Sequence, residues 1–121
     1  MNVALAPFIV EGLLIIVAAL FGFLLGRKGK PYGKGKLVVH LFFFAWLAVG
    51  MTFILQGALK QRTPATLLVL VMAICLVAQL LAGIGMLASR SVGKRLPMAH
   101  KIGASVMLLA DVCALIITAV R

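Results

Sequence analysis

Four long apolar runs, separated by short basic gaps, constrain this chain of 121 residues more than any motif does. The first covers about residues 3–26 and is interrupted only by Glu11. The second, about 37–59, and the third, about 64–88, carry no charge. The fourth, about 97–120, holds Lys101 near its start and Asp111 inside. As helices, at about 1.5 Å per residue, each is long enough to cross about 30 Å of hydrocarbon. The period-2 alternation of a membrane barrel is absent. Helices are then the one way to satisfy every backbone polar group in lipid. Composition agrees: 64% of residues are apolar and 12% charged, against about half and about a quarter in a soluble domain. So short a chain cannot hide that much hydrocarbon in its own core. A soluble enzyme, a disordered tail and a secreted disulfide scaffold are excluded. The expected fold is all-α, a single integral-membrane domain of four spans in an up-down bundle, with the lipid bilayer as partner.

Twelve Lys and Arg face two acids, a formal charge of +10. In a soluble protein this would point to nucleic acid; here no nucleic-acid partner is expected, because the bases lie in the gaps between spans. Arg27, Lys28, Lys30, Lys34 and Lys36 cluster around the first gap, and Arg90, Lys94, Arg95 and Lys101 around the third. Two spans separate these gaps, so both lie on one side. The other side has Lys60, Arg62 and Arg121. The positive-inside rule predicts a cytoplasmic location for the first and third gaps and puts both termini outside, as in a bacterial inner membrane. The first run has its basic residues after it rather than before it, which reads as a span and not a signal peptide. Gly22 and Gly26 form a GxxxG pair, and Ala78 and Ala82 a second small pair, both suited to close helix approach. Cys75 and Cys113 lie inside spans with no metal-ligand spacing and read as small buried hydrophobes.

The chain has two histidines. His40 lies near the start of the second span, and His100 three residues after Pro97, in the first turn of the fourth. Both spans enter from the basic side, so both imidazoles sit at one depth. Axial ligation of a haem iron requires this: two neutral imidazoles at one height on different helices. Gly103, Ala104 and Met107 share the face of His100, and Phe43, Phe44 and Leu47 that of His40. The small residues leave room for a macrocycle, with Lys34, Lys36, Arg95 and Lys101 available to propionates. Structural histidines at helix ends remain an alternative on spacing alone. Zinc is disfavoured, with two ligands too few.

Three segments carry a resemblance to a known family: RKGKPYGKGKLVVHLFFFAWLAVG (27–50), AICLVAQLLAGIGML (73–87) and LPMAHKIGASVML (96–108). Together they resemble the cytochrome b561 family, whose four core helices hold two haems by bis-histidine ligation. The resemblance implies one haem b between His40 and His100, held non-covalently, with iron as its metal. It also implies one-electron transfer from a quinol, an ascorbate-like anion or a partner protein, as a component of an electron-transfer oxidoreductase. The second ligand pair is missing: Ala6-Pro7 stands where the family tends to show His-Pro, and TPATLLVLVM (63–72) holds no histidine. One haem near one face leaves most of the bilayer unbridged.

Two acids lie within the spans. Asp111 is eleven residues beyond His100, on the same face and about 16 Å deeper. It is a candidate for a proton relay, to a quinone or otherwise, or a neutral acid bonded to Gln79 or Thr52. Glu11, near the outer end of the first span, is a second relay candidate, expected to snorkel or to meet Gln56. Two other readings stand: a non-catalytic subunit of a larger membrane complex or a homodimer, and a proton-coupled transporter using Glu11. The second rests on four spans, a Glu in the first and GKRL before the fourth, which look similar to the small multidrug resistance family.

Overall fold

The computed structural model describes residues 5–28, 33–88 and 95–120. They form four helices: α1 (Ala6–Lys28), α2 (Lys34–Gln61), α3 (Thr66–Ala88) and α4 (Arg95–Ala119). Each is long and apolar enough to span a membrane, and no strand is present among the described residues. The all-α bundle read from the sequence is the observed fold. Lys30, Arg90, Lys94 and Arg121, which entered the sequence argument, lie outside the described residues.

The helices overrun the apolar spans at several ends. α2 begins at Lys34, with extended Gly33 ahead of it accepting from the N–H of Leu37 at 3.0 Å. α4 begins at Arg95, so Pro97 is its third residue rather than its first. That position still lies in the first turn, where the missing N–H has no intrahelical partner to lose. α2 ends on Arg62 in the left-handed conformation (φ 48°), whose N–H returns to the Ala58 carbonyl at 2.8 Å. The same carbonyl accepts the Thr66 hydroxyl at 3.1 Å, which ties the start of α3 to the end of α2.

The helices pack in a ring. α3 lies most extensively on α4, and α1 on α2; the α1–α4 and α2–α3 contacts close it. α2 and α4 therefore face each other across the diagonal. Each helix turns one stripe inward at i, i+4, i+7 spacing: Glu11, Ile15 and Ala18 on α1; Leu47, Met51, Ile54 and Ala58 on α2; Val69, Met72 and Gln79 on α3; Met107, Asp111 and Ala114 on α4. The outward faces are apolar too. Phe53, Leu67, Ile74, Leu81 and Leu109 are each at least 65% exposed, which only a lipid environment accommodates. The protein is an integral membrane protein.

Two small-residue expectations are corrected. In α1, Gly22 faces a side chain of α2, whereas a Cβ on Gly26 would meet nothing within 4 Å. In α3, Ala82 is buried but Ala78 is exposed, on the outward face with Ile74 and Val77. Their four-residue spacing permits close approach, but the ring closes on one member of each pair only.

Candidate functional site

The helix ends joined by the basic gaps bring His40 and His100 together. Their ring centroids lie 6.2 Å apart, at an interplanar angle of 64°. His40 comes from α2 and His100 from α4, so the rings meet across the diagonal of the ring of helices, and both are half-buried.

Each imidazole is fixed by a neighbouring helix. His40 Nδ1 lies 2.8 Å from the Ala18 carbonyl oxygen of α1, and His100 Nδ1 lies 3.1 Å from the Gln79 carbonyl oxygen of α3. A carbonyl oxygen only accepts, so both Nδ1 atoms carry the proton and donate. In the neutral ring, Nε2 then carries the lone pair. This is the tautomer selected where a histidine ligates a metal through Nε2 while its other nitrogen donates to a backbone carbonyl.

The two anchors share one local construction. A helical carbonyl already accepts the N–H four residues on, and its second lone pair is reached only if the side chain there is small. Gly22 stands four residues after Ala18, and Gly83 four residues after Gln79. A Cβ on Gly22 would lie 3.1 Å from His40 Cε1, and one on Gly83 would lie 3.9 Å from His100 Cε1. The hairpins α1–α2 and α3–α4 thus each offer an acceptor carbonyl and a glycine to the histidine of their second helix. Sequence reasoning missed Ala18, Gly22, Gln79 and Gly83 as parts of the site. The readable signal was a glycine, on the inward stripe of the preceding helix, level with each histidine.

Phe43 stacks on Phe21 of α1, centroids 6.1 Å apart and 15° between planes, and touches Phe42 edge-on. Leu47 is buried one turn further in. Gly103 has a different neighbour from the one expected. A Cβ there would lie 2.9 Å from Gln79 Cγ, so the missing side chain makes room for the Gln79 side chain. The Gln79 amide in turn donates to Met107 Sδ at 3.5 Å. Lys36 is half-buried; Arg95 and Lys101 are exposed; all three lie at the histidine end.

Among the described residues, no group of three or more His, Cys, Asp and Glu side chains could hold a metal ion. A bare ion such as zinc takes at least three protein ligands. Two imidazoles suffice only when the metal brings its own equatorial ligands. His40 and His100, from diagonal helices with ring centroids 6.2 Å apart, are the residues that would hold such a group.

The acids stand elsewhere, and their expected partners are corrected. Glu11 is 1% exposed and does not snorkel; it shares the inward stripe of Ile15 and Ala18, while Gln56 is exposed on the lipid side. Asp111 is 2% exposed. Gln79 spends its amide on Met107, and Thr52 donates to the Ala48 carbonyl of its own helix at 2.9 Å. Neither is bonded to Asp111. Cys75 and Cys113 are free and half-buried. Compared with known proteins, the chain matches no family model, no curated protein and no solved structure.

Proposed function

We propose that this protein is a membrane b-type cytochrome that binds one haem between His40 and His100. The observation that carries this reading is the pair of imidazoles from diagonal helices, 6.2 Å apart, each with Nδ1 committed to a carbonyl. Haem b, when bound, supplies a one-electron couple whose potential follows from its axial ligands and surroundings. The chain does the rest. His40 and His100 hold the group, and the Ala18 and Gln79 carbonyls set ring orientation and keep Nε2 free of the proton. Phe43, Leu47 and Met107 exclude water from the inner side. Lys36, Arg95 and Lys101 provide positive charge at the rim for carboxylates of the group, and for an anionic donor such as an ascorbate-like acid, a quinol or an acidic partner protein. The charge bias of the gaps supports a reading with this rim in the cytoplasm and both termini outside, in a membrane of the bacterial inner type.

An absorption spectrum of protein purified from haem-replete cells tests the reading. The expected result is a bis-imidazole reduced spectrum at one haem per chain, lost in both His40→Ala and His100→Ala. A colourless protein, or a spectrum that survives in either variant, would overturn it.

A further inference from the structure

The half of the bundle remote from the histidines holds two buried acids that haem binding does not use. Glu11 and Asp111 come from adjacent helices, α1 and α4, and are 1% and 2% exposed. Asp111 Oδ2 lies against α1 at the residue after Glu11: a Cβ on Gly12 would sit 2.7 Å from it. Glu11 itself extends to α2, where its Oε1 occupies the place a Cβ on Gly50 would take. Both glycines therefore leave room for a carboxyl group inside the bundle.

Three of the four carboxyl oxygens, Glu11 Oε1 and Oε2 and Asp111 Oδ1, are buried with no hydrogen-bond partner. The surrounding core of Ile15, Met51, Val69, Met72, Met107 and Ala110 offers no donor. The charged residues of the described chain at this end, Lys60 and Arg62, are exposed. Cys75 on α3 and Cys113 on α4 are half-buried, and His100 lies three turns away along α4. Two ionised carboxylates could not both stay buried in this core without a counter-charge. Nor can two carboxylates bond to each other, since each only accepts. One bound proton removes one of the two charges and turns one acid into a donor.

We propose that Glu11 and Asp111 form a proton-binding site inside the membrane, holding one exchangeable proton per chain between them. Loading forms one O–H bond on a carboxylate, with the proton taken from water; nothing is oxidised or reduced. The two groups titrate as a pair and not as individuals. Because Glu11 is five residues, about 8 Å, from the first residue of α1, the site loads from the end opposite the histidines. The inference is independent of haem binding.

Infrared difference spectroscopy of the protein in phosphatidylcholine vesicles tests it. One protonated-carboxyl C=O band per chain is expected at neutral pH, shifted in D2O, lost on alkaline titration, and absent from the Glu11→Gln/Asp111→Asn double variant. Should that variant fail to fold, the wild-type chain still decides: a hydrophobic carbodiimide, which requires a protonated carboxyl, should modify Glu11 or Asp111, one adduct per chain, with labelling falling as pH rises. No carboxyl band, a band that ignores D2O, a band removed by Na+ at fixed pH, or no adduct on either acid would each overturn the proposal. A colourless protein that passes these tests would sink the cytochrome reading and leave this one standing.

Discussion

Replacing each of the two glycines beside the histidines with alanine should give different results, although the substitutions are chemically identical. Gly→Ala in a helix interior is worth about 1 kcal/mol in propensity. At Gly83 the new Cβ would sit 3.9 Å from His100 Cε1, an ordinary contact, so the gain is kept. At Gly22 the new Cβ would sit 3.1 Å from His40 Cε1, and the ring must retreat by a few tenths of an ångström. Its bond to the Ala18 carbonyl, now 2.8 Å, lengthens with it. A typical hydrogen bond contributes about 1 kcal/mol, which cancels the propensity gain. The two variants should therefore differ by about 1 kcal/mol, roughly 4 °C in Tm for a chain of this size. Thermal unfolding in detergent, followed by the fluorescence of Trp46, the single tryptophan, measures this. In the haem-loaded protein, Gly22→Ala should also alter the reduced spectrum and Gly83→Ala should not. Equal stabilisation by both, with unchanged spectra, would refute the claim that glycine opens these carbonyls to the imidazoles.

Three further outcomes follow from the same geometry. Gly50→Ala puts a methyl group where Glu11 Oε1 now lies and should cost about 1–3 kcal/mol by overpacking, whereas Gly57→Ala, with nothing within 4 Å, should be neutral or stabilising; chemical denaturation of the two variants separates them. Arg62→Gly removes a side chain from a left-handed backbone position and should stabilise the α2–α3 turn by about 1 kcal/mol, visible as a higher Tm. Asp111→Asn removes the one negative charge left on the acid pair, since Glu11 alone in that core would hold its own proton. At about 16 Å and an effective dielectric near 20 the interaction is about 1 kcal/mol, so a haem between the histidines should be easier to reduce by roughly 45 mV, read by redox titration against the wild type.

The spans were legible because lipid demands length and apolarity from every helix, and four runs meet that demand. The common depth of His40 and His100 was legible as well, since α2 and α4 enter from one side. Whether the two rings face each other depends on the rotation of each helix about its axis, which lipid-facing apolar residues do not report: outward Phe42 and Trp46 are no less hydrophobic than inward Leu47. The anchors were harder still, because an acceptor carbonyl carries no side-chain signature. Glu11 was misread for a physical reason. Its closeness to a helix end suggested snorkelling, yet it lies four and seven residues before Ile15 and Ala18, on the stripe that turns inward. The approach of Asp111 to α1 at Gly12, next to Glu11, needed one fact no single helix contains, that α1 closes the ring against α4. Asp111 itself was placed correctly on the face of His100, but its expected partners were taken from polarity alone; Gln79 was already engaged by Met107 and Thr52 by its own backbone.

The spacing of the two sites has a cause in the helix itself. Gly22, beside His40, lies eleven residues from Glu11 on α1, and His100 lies eleven residues from Asp111 on α4. Eleven residues are three turns to within about 20°, so each helix keeps one face toward the core from the imidazole level to the carboxyl level. Because α1 and α4 are antiparallel neighbours, the two elevens run in opposite directions and still bring both levels into register. α2 repeats the interval between His40 and Met51, and α3 between Gly83 and Met72, with apolar residues at the carboxyl level in place of acids. The bundle thus has two polar levels three turns apart, one built from imidazoles anchored to carbonyls and one from acids seated on glycines.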